Sequence, residues 1–136
     1  MMVPLGRHLM AAEMPILRRH ELSMWAYIVL LNLGAEPTRT QAALAQAIGA
    51  DKTRIIGFLD ELAERGLIRR TPDPDDRRAR LLAITPAGER VRDAVQTDIQ
   101  ANEERLLARL SVADRRGLLR GLQALAALRP EEITGE

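Results

Sequence analysis

Residues 44–58 read LAQAIGADKTRIIGF, and this stretch decides the fold. Two helices packed across a tight turn need a small residue at the crossing, a glycine in the turn and apolar residues that lock the pair. Ala45 supplies the first and Gly49 the second. Leu44, Ile48, Ile55 and Phe58 supply the lock. The spacing fits a helix-turn-helix, although other helical hairpins share it. Thr40 is placed to N-cap a helix over Gln41–Ile48. Asp51 is placed to cap the next helix, about 52–65, which stops at Gly66.

Projected at about 100° per residue, the second helix sorts into two faces. Ile55, Leu59, Leu62 and Ala63 gather on the core side. Thr53, Arg54, Gly57, Asp60, Glu61 and Glu64 gather on the other. The outward face is polar in two senses. Its start carries Lys52, Thr53 and Arg54, and its second half carries only acids. A helix that enters a major groove start-first has this polarity. Gly57 costs roughly 1 kcal/mol of helix propensity relative to alanine. Close approach to a DNA edge or backbone is one reason to keep it; a solvated face with a tolerated glycine is the other reading. Lys52, Thr53, Arg54 and Gly57 are therefore the candidate groove contacts, with Thr40 and Gln41 at the start of the preceding helix.

Leu67–Thr71 and Ala79–Thr85 read as two short strands joined by the charged loop 72–78. Across this region Arg65, Arg69, Arg70, Arg77, Arg78 and Arg80 stand against Asp73, Asp75 and Asp76. An arginine in a narrow minor groove gains from the negative potential there, so Arg77, Arg78 and Arg80 are candidate contacts of a wing. Asp76, two residues before Arg78, can steady the tip through a local ion pair. Taken alone, the loop is equally a soluble turn of mixed charge.

Working outward, residues 3–20 place Leu5, Leu9, Ala12 and Ile16 at helical spacing, with Pro15 expected to kink or divide the helix. Ser23 is a cap for a helix over 24–34 that ends at Gly34. This helix is apolar nearly all round and so expected to be buried. Thr85-Pro86 opens a long helix to about Leu110, with Val91, Val95, Ile99, Asn102 and Leu106 on its sparse apolar face. Ser111–Asp114 has the form of a capping box for a last helix bearing Leu118, Leu122 and Leu125. The tail from Pro130 is expected to be loose.

The fold class is mostly α with a small β-wing. It is read as one domain over 1–136: a winged helix-turn-helix at 23–87, dimerisation helices at 1–22 and 88–129, and a tail at 130–136. A helix over 86–110 is about 35 Å long, too long for one small winged unit to cover. Pairing of two copies through such stripes buries them; an intramolecular bundle is the alternative.

Composition narrows the function. Cysteine is absent, which removes disulfides, thiol sensing and Cys–zinc sites; only two histidines occur, so no metal or other cofactor is expected. No apolar run reaches the length of a membrane span. The opening MMVPLGRHLM is too interrupted for a signal peptide, so a cytoplasmic location and no membrane partner are expected. Neither a glycine-rich phosphate loop nor a nucleophile–base constellation is present, which argues against an enzyme. The net charge of +1 favours no partner class.

From Leu22-Ser23 to Gly88 the chain resembles the MarR (multiple-antibiotic-resistance regulator) family of bacterial repressors. The resembling pieces are LSMWAYIVLLNL, TQAALAQAIGADKTRIIGFLDELAERGLIRR, DPDDRRARLLAIT and the Thr85–Gly88 entry to the long helix. Asp76-x-Arg78 falls where the family has its wing-tip pair. The resemblance implies a homodimer whose terminal helices interlock and whose recognition helices meet successive major grooves of a pseudo-palindromic, double-stranded operator. It implies a sequence-specific repressor of nearby genes, in many members released by a small aromatic or phenolic ligand. Thiol-sensing members need cysteine and zinc-sensing members need clustered ligands, neither of which occurs here. Trp25, Tyr27 and His20 are the candidate ligand residues, with Arg18 or Arg19 to meet a carboxylate. Read otherwise, Trp25 and Tyr27 are core and His20 is a surface residue. The competing function is a winged-helix protein-interaction module without DNA binding, consistent with the low net charge and with Asp60, Glu61 and Glu64.

Overall fold

Gly49 adopts the left-handed conformation (φ 68°), and the Ala50 N–H returns to the Ala45 carbonyl at 2.9 Å. This turn joins α3 (Gln41–Ile48) to α4 (Lys52–Glu64) in the computed structural model, which describes residues 1–135. Both helices start as their sequences require. The Thr40 hydroxyl accepts from the Ala43 N–H at 3.1 Å, and the Asp51 carboxylate accepts from the Thr53 N–H at 3.1 Å.

Before them lie α1 (Met2–Arg19), α2 (Met24–Leu31) and the two-residue strand β1 (Arg39–Thr40). After them come β2 (Ile68–Pro72), β3 (Arg80–Ile84), α5 (Pro86–Leu107), α6 (Val112–Ala126) and α7 (Pro130–Thr134). The antiparallel sheet has the order β1-β3-β2, with Ile68 opposite Ile84, Pro72 opposite Arg80 and Arg39 opposite Leu82. The core is aliphatic. Leu17, Val29, Leu30, Leu44, Ile55, Leu59, Leu62, Leu82 and Val95 are fully buried.

Contacts gather into two compact units, Met1–Ile99 and the chain from Gln100 onward. The first holds the winged helix-turn-helix with α1 and α2. In the second, the Arg115 guanidinium pairs with both oxygens of Glu104 at 2.7 Å. That bond, then the charge of Arg115, holds the Glu104 carboxyl below its ordinary range. Helix α6 buries no residue. Among the described residues no helix is long and apolar enough to cross a membrane.

Four local expectations are corrected. Helix α1 is not divided at Pro15 but continues through it as one element from Met2 to Arg19. Pro15 and Ala11, whose carbonyl loses its donor, are both exposed, so water can take that bond. Helix α2 stops at Leu31, not Gly34. The Asn32 side chain donates to the Ile28 carbonyl at 2.8 Å and closes the helix, while the Gly34 carbonyl accepts from the Ile84 N–H at 2.9 Å. Ser111 caps α6 through the Asp114 N–H at 3.1 Å, but Asp114 makes no return bond. Its side chain is one methylene shorter than the glutamate of a full capping box. Residues 130–134 are helical rather than loose: Pro130 is preset for a first helical position, and the Arg129 N–H donates to the Glu132 carboxylate at 2.8 Å.

Candidate nucleic-acid interface

The loop between β2 and β3 is built from its own aspartates. The Asp75 N–H donates to the Asp73 carboxylate at 2.9 Å, and the Arg78 N–H donates to the Asp76 carboxylate at 3.0 Å. The Ala79 N–H returns to the Asp76 carbonyl at 3.0 Å, and the Asp73 N–H to the Ala79 carbonyl at 3.1 Å. Short aspartate side chains that hold the backbone two residues on are what stabilise such turns. The expected side-chain ion pair between Asp76 and Arg78 is therefore corrected. Asp76 steadies the tip through the backbone of Arg78, and among the described residues the guanidinium has no partner.

The six arginines of this region divide by role. Arg65 donates to the carbonyls of Glu21 (2.6 Å) and His20 (3.3 Å), securing the end of α1, where Glu21 is left-handed (φ 55°). Arg69 donates to the Ala35 carbonyl at 3.3 Å. Arg70 pairs with Asp60 at 2.6 Å and ties α4 to β2. Those three are scaffold. Among the described residues Arg77, Arg78 and Arg80 make no side-chain hydrogen bond or ion pair, and neither do Lys52 and Arg54. Asp60 is thus not a free acid on the outward face of α4.

The starts of α3 and α4 and the wing enclose a cleft of about 420 Å³. Of the residues singled out in the sequence, Thr40, Gln41, Lys52, Asp76, Arg78 and Arg80 line it together. Gly57 lies outside it on the open face of α4, with nothing within 4 Å of where a Cβ would stand. Arg77 is exposed at the loop tip. The Thr53 hydroxyl donates to the Asp51 carboxylate at 2.8 Å. That bond, then the Thr53 N–H, hold the Asp51 carboxyl below its ordinary range; desolvation opposes them and the nearby charge of Arg54 adds a lesser lowering. With the folded value depressed, the cap contributes fully above the ordinary carboxylate range and weakens only as pH falls through it.

Sequence reasoning missed Ile56, which lines the same cleft and is 44% exposed. Its position one turn after Lys52 and one before Asp60 places it on the outward arc, a signal hidden by its buried neighbour Ile55. The candidate ligand residues are not brought together. Trp25 lines a separate cavity of about 240 Å³ with Arg54 and Phe58. Tyr27 is 7% exposed in the core. His20 meets Asp98 at 2.8 Å, with Arg19 4.0 Å from the same oxygen. Arg18 turns back to the Met14 carbonyl at 3.4 Å. No group of metal-ligating side chains occurs among the described residues.

The sequence profile of the MarR family matches residues 20–79. A putative transcriptional regulatory protein for the hcr operon of Thauera aromatica is 35% identical over 96 residues, 71% of this chain. The chain spans only 57% of that relative's length. The transcriptional regulator HosA of Escherichia coli O111:H- is 32% identical over 91 residues, 67% of either chain. Among solved structures, CouR from Rhodococcus jostii RHA1 bound to p-coumaroyl-CoA superposes with a TM-score of 0.69 at 32% identity, covering 93% of this chain and 89% of CouR. The repressor CouR bound to a 23-mer DNA duplex gives 0.73 at 29% identity, covering 90% and 87%. The helix-turn-helix, its wing and the flanking helices are thus a shared inheritance, and the chain belongs to the MarR family of winged-helix transcriptional regulators.

Proposed function

We propose that this regulator is a cytoplasmic homodimeric repressor of nearby genes that binds a pseudo-palindromic operator. The start of α4 reads the major groove and the wing enters the minor groove. The observation that carries this reading is the single cleft in which Lys52, Arg78 and Arg80, all unpaired, stand beside Thr40 and Gln41. CouR on its DNA duplex supports it. Residues 23–87 form the DNA-binding part in this reading, and 1–22 with 88–129 the dimerising part. The interaction-module alternative loses ground because Asp60 is neutralised by Arg70, which leaves fewer free acids on α4.

Sequences selected from a random duplex pool give the probe, and fluorescence anisotropy gives the affinity. Arg54→Ala and Arg78→Ala are each expected to weaken binding about 5- to 150-fold, the worth of roughly 1–3 kcal/mol per specific contact. A variant whose lost contact was to phosphate also flattens the salt dependence by about one unit of slope. Unchanged affinity and slope in both variants would refute the reading.

Release by a small aromatic or phenolic anion is the regulation proposed with it, supported by CouR bound to p-coumaroyl-CoA. Among the candidates, Trp25 lines a cavity, together with the cation Arg54 and the ring of Phe58. It is also the only tryptophan. Titration with 4-hydroxycinnamate is expected to quench its fluorescence to saturation; a flat response across a panel of aryl carboxylates would count against this part.

A further inference from the structure

The recognition helix α4 exposes one large aliphatic side chain, Ile56, in a cleft it shares with the small residues Ala42 and Ala79 and with polar and charged groups. Ile56 is 44% exposed, while Ile55 beside it is 2% exposed and belongs to the core. Lys52 of the same helix, Gln41 of α3 and Arg78 of the wing share the cleft with Ile56. The fold gains little from it. A β-branched residue is a weaker helix former than alanine or leucine, and nearly half of its surface stays in water. Single exposed aliphatics are common on protein surfaces; the place of this one gives it meaning. The neighbouring cations hold phosphates well, but a phosphate carries no sequence information. In the major groove the one apolar group on a base edge is the thymine C5 methyl.

We propose that Ile56 is a specificity-determining residue that packs on the C5 methyl of one thymine in each operator half-site. This rests on the DNA-binding reading above. Lys52 and Arg78 set affinity and register around it, and Ile56 discriminates thymine from the other bases at one position.

The experiment uses the selected duplex, with each symmetry-related pair of thymines replaced in turn by deoxyuridine, which removes the methyl and keeps the base pairing. For the wild-type chain, one symmetric pair of replacements is expected to weaken binding about four- to fifteenfold, the scale of a methyl group partly to fully buried at each half-site. Ile56→Ala is expected to bind the thymine duplex more weakly by a similar factor and to be indifferent to uridine at that pair. Its melting temperature, measured alongside, is expected to stay near wild type because the side chain is half exposed. The proposal is overturned if no replacement costs the wild type more than about twofold, or if Ile56→Ala keeps the full uridine penalty at the sensitive pair. Failure of the wild-type chain to bind any selected duplex would overturn the DNA-binding reading itself, and this proposal with it.

Discussion

Gly88→Ala is expected to cost the fold about 3 kcal/mol, the upper part of the range for overpacking a filled site. The melting temperature should fall by roughly 10 °C. A Cβ at this position would lie inside contact distance of the Leu67 carbonyl oxygen, 2.7 Å from Ile84 Cγ1 and 3.0 Å from the Leu67 carbonyl carbon. Neither neighbour is free to move. The Leu67 carbonyl accepts from the Thr85 N–H at 3.1 Å, and Leu67 and Ile84 are buried at 5% and 2% exposure. Gly88 is also fixed: its N–H donates to the Thr85 hydroxyl at 3.1 Å, which itself donates to the Gly66 carbonyl at 2.6 Å. Relief would require the start of α5 to lift from the sheet and break this cap. Urea denaturation of both proteins measures the effect, with Gly57→Ala as control. Gly57 is helical, exposed and has nothing within 4 Å, so alanine there is expected to stabilise by about 0.5–1 kcal/mol. A Gly88→Ala loss under about 0.5 kcal/mol would refute the packing argument.

What the sequence revealed follows from the range of each interaction. The caps at Ser23, Thr40, Asp51 and Thr85 and the left-handed turn at Gly49 are local, and each is legible from a few neighbouring residues. The failures were competitions between local signals, as where the Asn32 side chain ended α2 before Gly34. Long-range pairing was not legible at all. Six arginines look alike in one dimension; only the fold assigns Arg65 to the end of α1, Arg69 to Ala35 and Arg70 to Asp60, and leaves the three wing arginines unpaired. His20 and Asp98 are 78 residues apart and no pattern links them. The proposed grouping of Trp25 with Tyr27 had a geometric fault visible in advance: two residues apart on a helix, they point about 200° apart. Ile56 fell on neither face of the helical wheel: its position is outward, but the outward face is recognised by polar residues and glycine, and an isoleucine carries no such mark.

Aspartate at both Leu118 and Leu122 is expected to give folded monomers that lose operator binding. Helix α6 buries none of its residues, yet Leu118, Leu122 and Leu125 stand 43%, 51% and 47% exposed at helical spacing. In α1, Leu5, Leu9 and Met10 are likewise exposed, at 58%, 41% and 58%. Two copies that pair through such stripes bury each leucine twice, once per protomer, because a two-fold interface repeats every contact. Full burial of one leucine is worth about 1.5–3 kcal/mol. Two positions changed on both protomers therefore remove several kcal/mol and add carboxylates that must be desolvated, weakening the dimer by roughly a thousandfold or more. A monomer can hold only one half-site, so it forfeits the second recognition helix one DNA turn away. Sedimentation equilibrium is expected to report a monomer, circular dichroism an intact helical fold, and anisotropy a loss of at least about 100-fold on the palindromic duplex. The same variant should bind an isolated half-site as well as wild-type monomer does, because the cleft at Lys52 and Arg78 is untouched. A variant that stays dimeric with full affinity would place the interface elsewhere. A monomer with undiminished palindrome affinity would mean that one protomer supplies all of the binding, and the two-fold reading of the operator would fall.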